Sequence, residues 1–459
     1  MYQIDFQNPI SIYFVGIGGI SMSGLAEILA HAGFSVSGSD WNASPITRSL
    51  EEKGIRVHYG ESPAHITDDI DCAVLTSAVH DSNLEFQAIR TKNIPYLTRA
   101  QLLGQLMQNY DTPIAVSGTH GKTTTTSMIS QILLDADTDP TLSVGGMLKA
   151  IGGNIRVGNS GLFVTEACEY TNSFLSFFPR IGLILNIEED HMDFFRDLAD
   201  IRSSFRQFAQ LLPRDGALII NGDIPDYREI TEGLPCRVIT FGHTDSCDYY
   251  PRDVHYNDHS NASFLACRPN GSSTPISLSV PGDHNVLNAL AALALADLLD
   301  LDPALAAKSL LTFGGTARRF EYKGTLGGVT VIDDYAHHPT EITATLQAAH
   351  IHSHNNIWCV FQPHTYTRTK TFLKEFARAL SLADRIVLAD IYAARETDTL
   401  GISSEDLQRE IASLGHTCYY FPSFDEIENF LLQNCINGDL LITMGAGDVH
   451  KIGENLLGI

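Results

Sequence analysis

Short runs rich in Val, Ile and Phe alternate along the chain with helix-length amphipathic stretches, the pattern of parallel sheets built from β-α-β units. It predicts an α/β fold in three blocks. The first has strands at 12–16, 34–38 and 72–76 and ends at the polar turn Asp111-Thr112-Pro113. The second has strands at 114–117, 162–165, 181–186, 217–221 and 237–241, a polar turn-rich stretch at 243–274, and a helix over 285–299. After the Gly314-Gly315-Thr316 break the third has strands at 328–332, 357–361, 385–389 and 440–443. The expected domains are therefore 1–110, 111–315 and 316–459. No repeat at a solenoid period is present.

Chemistry gathers where predicted strands end. Ser117-Gly118-Thr119-His120-Gly121-Lys122-Thr123-Thr124 lies between a strand and a helix over 124–134, the setting of a phosphate loop. Glycines there turn backbone N–H groups inward on phosphate, Lys122 reaches the terminal phosphates and the Thr123 hydroxyl can ligate magnesium. Val116 stands where the first glycine of G-x-x-x-x-G-K-T would fall.

A second loop, Gly16-Ile17-Gly18-Gly19-Ile20-Ser21, follows the first strand, with Asp40 at the end of the next. Such glycines approach a pyrophosphate closely and the acid takes a ribose or base hydrogen bond. Ser21 replaces the third glycine of the dinucleotide fingerprint, so NAD, another nucleotide and a plain turn all remain open for this loop alone. A phosphate loop for ATP beside a loop for a pyrophosphate suggests a reaction, driven by ATP, on a nucleotide-linked substrate.

Glu166 and Glu169 follow one strand, and Asn186, Glu188, Glu189, Asp190, His191 and Asp193 the next, where a magnesium site would need them. Taken singly, each acid reads more readily as a solvated loop charge, whereas Asp190-His191 capping a buried strand is harder to dismiss. The third block offers Asp333-Asp334-Tyr335-Ala336-His337-His338-Pro339 and Gln362-Pro363-His364-Thr365-Tyr366-Thr367-Arg368-Thr369. His350, His352 and His354 are expected at the surface.

Charge narrows the classes: 30 Lys and Arg against 54 Asp and Glu give −24, the wrong sign for attraction to nucleic acid or to anionic membranes. No apolar run is long enough to span a bilayer, and no Lys or Arg precedes Arg48, so a basic signal region is missing and a cytoplasmic protein is expected. The eight cysteines contain no Cys-x-x-Cys pair and are expected as reduced, buried thiols.

In their order along the chain these strings resemble the Mur ligase family, most of all its alanine-adding members. Besides the two loops, the resemblance rests on Glu-Ala-Cys-Glu-Tyr at 166–170, Asn-Ile-Glu-Glu-Asp-His at 186–191, Pro-Gly-Asp-His-Asn at 281–285, Ala-Arg-Arg-Phe-Glu at 317–321, and the two strings of the third block. It covers essentially the whole chain. It implies a Rossmann-like first domain binding the UDP end of UDP-N-acetylmuramate through Gly16, Gly18, Gly19, Ser21 and Asp40, a central domain binding ATP, and a Rossmann-like third domain. By the same resemblance Thr123 and Glu166 hold one Mg2+ and His191 a second, with Mn2+ able to substitute. Asn285 contacts adenine, Arg319 the phosphates and Asp334 the ribose, while Tyr335, His337 and Arg368 line the L-alanine site. The implied chemistry is phosphorylation of the lactyl carboxylate, attack by the alanine amine and loss of phosphate, in a monomer or weak homodimer.

Two departures bear on the site. The carbamylated lysine of several sibling ligases has no counterpart, since no lysine lies between Lys149 and Lys308. Some alanine-adding relatives have Arg where this chain has Thr365, which leaves the carboxylate to Arg368 alone. The alternatives are the family's tripeptide-recycling branch, a nucleotide-binding regulator without turnover, and a nicotinamide oxidoreductase. Intact Lys122, Thr123, Glu166 and His191 argue against the regulator, and the oxidoreductase leaves the ATP loop unused.

Overall fold

Each strongly apolar run becomes the middle of a sheet, because a parallel strand covered by helices on both faces needs apolar side chains on both. The computed structural model describes residues 2–76, 79–394, 396–397 and 400–459. The first sheet is parallel, in the order β3-β2-β1-β4-β5, from β1 (Ser11–Val15), β2 (Ser35–Asp40), β3 (Arg56–Tyr59), β4 (Cys72–Leu75) and β5 (Tyr96–Thr98).

The second sheet contains β6 (Thr112–Ser117), β7 (Thr141–Leu148), β8 (Gly153–Arg156), β9 (Leu162–Ala167), β10 (Ile181–Ile184), β11 (Ala217–Asn221) and β12 (Arg237–Phe241). Its order is β12-β11-β10-β6-β9-β7-β8, and only β8 pairs antiparallel. Since β10, β6 and β9 are neighbours, the loops after them emerge side by side. Residues 118–121, 168–169 and 185–191 therefore meet without any long excursion of chain.

The stretch expected to be turn-rich is instead a three-stranded antiparallel sheet of β13 (Tyr250–Tyr256), β14 (Asn261–Cys267) and β15 (Ser273–Pro281). Ala262, Phe264 and Ala266, and likewise Ile276, Leu278 and Val280, point alternately into the core. Next to it the helix His284–Leu298 is apolar all round over Ala289–Ala296 because it is buried all round there, in the same core as Ile129, Ile132 and Leu133 of the helix Lys122–Asp135.

The fourth sheet runs β16-β17-β21-β18-β19-β20, from β16 (Glu321–Leu326), β17 (Val329–Asp334), β18 (Ile357–Phe361), β19 (Arg385–Leu388), β20 (Cys418–Tyr420) and β21 (Leu440–Met444), with β16 antiparallel. The core of the first sheet runs on into that of the second. At that seam a Cβ on Gly104 would come within 1.9 Å of the Ser176 carbonyl oxygen, so only glycine fits between the two backbones. All eight cysteines are free thiols, five of them buried. Among the described residues no helix is long and apolar enough to cross a membrane. Of the three histidines expected at the surface, His350 is exposed, but His352 and His354 are half-buried, His352 against the rings of Phe320 and His259.

Candidate active site

The phosphate loop is held by the loop after β10. Asn186 clamps the His120 backbone twice, accepting from its N–H at 2.7 Å and donating to its carbonyl at 3.1 Å. The Thr119 N–H donates to the Asn186 carbonyl at 3.2 Å. The following helix starts at Lys122, two residues earlier than the sequence suggests, because Gly121 takes the cap position at φ +80°. A side chain there would be strained and would meet Asn288 Oδ1 at 2.8 Å.

Lys122 lies inside the loop rather than in solvent. Its Nζ donates to the carbonyls of Gly118 and Thr119 and pairs with Glu169 at 3.0 Å, in a side chain only 3% exposed. Burial alone would lower the Lys122 pKa, but the Glu169 carboxylate reverses this and raises it. Thr123 Oγ1 donates to Glu166 Oε2 at 3.0 Å, and the Gly145 N–H donates to the other oxygen at 2.5 Å. Burial raises the Glu166 pKa against those hydrogen bonds. A hydroxyl and a carboxylate in contact are hard oxygen donors of the kind magnesium takes. His191 Nε2 lies 3.7 Å from Glu169 Oε1, its ring 4.4 Å from that of Tyr170.

The third unit closes over this loop. Arg368 donates from Nε (3.2 Å) and Nη2 (3.0 Å) to Asp190 Oδ1, and Nη1 lies 3.1 Å from His364 Nδ1. The carboxyl of Asp190 would be raised by burial, yet the Arg368 guanidinium beside it holds it well below the carboxylate range. His338 Nε2 reaches the Glu189 carbonyl at 3.0 Å, and Thr340 Oγ1 donates to Glu188 at 2.7 Å. His120 stands between Glu341 (3.2 Å) and Glu188 (3.5 Å). Burial opposes its charge, but the two carboxylates carry its pKa up to about 9.

A cavity of 270 Å³ lies under that closure, with His120, Thr124, Asn285, Arg319, Asp334 and Glu341 in its wall. Asn285 is fixed by donating to the Pro281 carbonyl (2.7 Å) and accepting from Asn288 (2.9 Å). The Asp334 carboxylate accepts from the N–H groups of Phe320 (2.8 Å) and Ala336 (2.7 Å), and burial pushes it up to about 6. A separate 60 Å³ cavity is bounded by Asp190, His191, His364, Thr365 and Arg368. Neither Tyr335 nor His337 lines it. Tyr335 stacks under Arg318 and Arg319 (5.0 and 5.2 Å), and the His337 ring sits 5.9 Å from that of His364. Burial lowers the His337 pKa to about 4, so the ring is neutral near neutral pH.

The first loop is a separate station. Asp40 Oδ2 accepts from the Gly18 N–H at 2.8 Å, and the Gly16 N–H donates to the Ser39 carbonyl at 2.9 Å. Gly19 caps the helix Ile20–His31, which carries Ser21 in its first turn. Sequence reasoning passed over Arg99, a half-buried cation near Glu166 and Cys168 whose pKa burial lowers. It makes no ion pair among the described residues. Its only sequence mark is its place in the first turn of a helix directly after β5.

Known proteins share this arrangement. Residues 11–111 match the model of the Mur ligase family catalytic domain, 116–296 that of the Mur ligase middle domain, and 318–447 that of the Mur ligase glutamate ligase domain. A UDP-N-acetylmuramate--L-alanine ligase of Agathobacter rectalis is 59% identical over the whole of both chains. The crystal structure of a UDP-N-acetylmuramate-alanine ligase from Thermotoga maritima superposes with TM-score 0.82 at 30% identity over 98% of each chain. A murein peptide ligase from Psychrobacter arcticus gives 0.75 at 26% over 98% of each. With full-length identity at that level and three family domains in series, the chain belongs to the Mur ligase family.

Proposed function

We propose that the protein is an ATP-dependent ligase that joins L-alanine to the lactyl carboxylate of UDP-N-acetylmuramate, giving ADP and phosphate, in the synthesis of peptidoglycan precursors. The observation that carries this reading is the 59% identity, end to end, with a UDP-N-acetylmuramate--L-alanine ligase. Residues 1–110 then serve as the UDP-substrate domain, 111–315 as the ATP domain and 316–459 as the amino-acid domain.

A carboxylate is a poor electrophile, and its acyl phosphate gives the amine a good leaving group. Lys122 offsets charge as the carboxylate approaches ATP, and the wall of the 270 Å³ cavity positions the nucleotide. Magnesium, or manganese in its place, would be held by Thr123 and Glu166, with His191 serving a second ion, and supplies charge neutralisation on the phosphates. Uncharged His337, with Nδ1 facing the Tyr335 carbonyl at 2.9 Å and its ring 5.9 Å from that of His364, borders the alanine site from outside the 60 Å³ cavity. Arg368 takes the alanine carboxylate through the N–H groups not used by Asp190 and His364.

The tripeptide-recycling reading has a structural neighbour in its favour, but a 60 Å³ cavity beside Arg368 suits a methyl side chain. One methyl group is worth only about 1–3 kcal/mol of discrimination, so glycine and L-serine should react slowly. The test is product mass after incubation with ATP, UDP-N-acetylmuramate and either L-alanine or L-Ala-γ-D-Glu-diaminopimelate. Joining of the tripeptide alone overturns the proposal.

A further inference from the structure

Cys168 plays no part in the chemistry above, yet its thiol lies beside Glu169 and His191. One ligand atom each from Cys168, Glu169 and His191 fall within 4.8 Å of one another. A sulfur, an oxygen and a nitrogen donor at that separation form a set unlike the oxygen pair of Thr123 and Glu166. Magnesium avoids thiolates, whereas zinc takes thiolate, imidazole and carboxylate together in tetrahedral sites with a fourth position left open. The geometry points to an inhibitory zinc site made of Cys168, Glu169 and His191, in which the ion takes Glu169 away from Lys122 and blocks the phosphate loop.

The charges balance. Zinc binds the thiolate, so the Cys168 S–H bond breaks, the S–Zn bond forms and the proton leaves to solvent. One thiolate and one carboxylate then offset the two positive charges, with a neutral imidazole as third ligand. Lys122, whose Nζ lies 3.0 Å from Glu169, opposes the approach of the cation. The ring of Tyr170 packs on that of His191 and keeps the imidazole facing Glu169. Lys122 is left with the carbonyls of Gly118 and Thr119, which carry no formal charge.

Cobalt(II), a spectroscopic stand-in for zinc, tests metal capture on the resting protein without reference to turnover. Wild-type protein should develop a thiolate-to-cobalt charge-transfer band that zinc displaces, and Cys168→Ser should lack it. In ligation assays at fixed magnesium, zinc should inhibit the wild type, and a chelator matched to zinc should restore it. Cys168→Ser and Cys168→Ala should keep magnesium-dependent turnover and need about tenfold more zinc or more, the size of loss that even outer ligands cause. On the wild type alone, zinc should slow alkylation of Cys168, read by peptide mass against the other cysteines, so the test survives a variant that fails to fold. No charge-transfer band, unprotected Cys168, or equal zinc sensitivity in both Cys168 variants overturns the site. The band and the alkylation stand even if the ligase reading fails, so the two failures are distinguishable.

Discussion

Arg368 and Asp190 stand 178 residues apart in the chain, yet two guanidinium N–H groups of the one converge on a single carboxylate oxygen of the other. Both side chains are more than nine-tenths buried. The contact is side-on, through Nε and Nη2, so the outer edge of the guanidinium keeps N–H groups for a second carboxylate. Asp190 is thus a positioning residue for Arg368. Asp190→Asn should raise the alanine KM by about tenfold, equivalent to ~1.4 kcal/mol, with kcat and ATP binding nearly unchanged. Arg368→Lys should do the same, since an ammonium cannot form the fork. In a double-mutant cycle the two effects should be strongly non-additive; additive effects would show that the pair does not act through the alanine site.

The second expectation concerns Lys122. Its sequence position suggests a loop lysine whose loss costs only activity, but its contact with nearly inaccessible Glu169 says otherwise. Lys122→Ala should abolish turnover and also destabilise the fold by about 3–5 kcal/mol, because it leaves a buried carboxylate unpaired. Adding Glu169→Gln should recover much of the stability and none of the turnover. Thermal melts and phosphate release on the three proteins check this.

His120 makes stability depend on pH. Its folded pKa, at about 9, lies above the value of about 6.5 for a free histidine. The stabilisation is therefore complete below pH ~6.5 and is lost as pH rises through about 9. His120→Gln should flatten the fall in melting temperature over that window. Exposed His243, also raised to about 9 by Asp283 and Asp223, remains in both proteins, so the difference between them isolates His120. Parallel curves for wild type and variant would remove His120 from the interface.

Gly104 fixes how the first unit seats on the second. Because backbone faces backbone, neither side can yield as a side chain would. Gly104→Ala should cost about 1–3 kcal/mol and raise the KM for UDP-N-acetylmuramate more than that for alanine. Calorimetry and initial rates decide it, and an unchanged melting temperature would mean that the seam tolerates a methyl group.

Much of the fold is legible in the order of apolar runs and turns along the chain. Strands such as Ala217–Asn221 and Ile357–Phe361 are apolar, central and bounded by turns, so their limits can be read directly. Edge strands Arg56–Tyr59 and Cys418–Tyr420 are short and only half-buried, so they leave little pattern. The strands of the antiparallel sheet do carry a two-residue period at Ala262, Phe264 and Ala266, hidden by the polar residues between them. In the site, the phosphate loop and the acids after β9 and β10 are local strings. The pairing of Arg368 with Asp190, of His120 with Glu341 and of Lys122 with Glu169 depends on which strand ends meet, and spacing along the chain does not encode it.

His338 accepts at Nδ1 from the Thr340 N–H, capping the helix Pro339–Ile351, while Nε2 faces the Glu189 carbonyl. One ring nitrogen must carry a lone pair and the other a hydrogen, so this imidazole works only uncharged, and burial lowers its pKa accordingly. His120, whose ring centre is 4.8 Å away, is held protonated. Two like side chains in contact are thereby kept one proton apart, and the seam between the second and third units behaves as a one-proton lock. A second proton would cost the helix its cap and set two positive rings 4.8 Å apart, so acid should loosen this seam before it unfolds either domain.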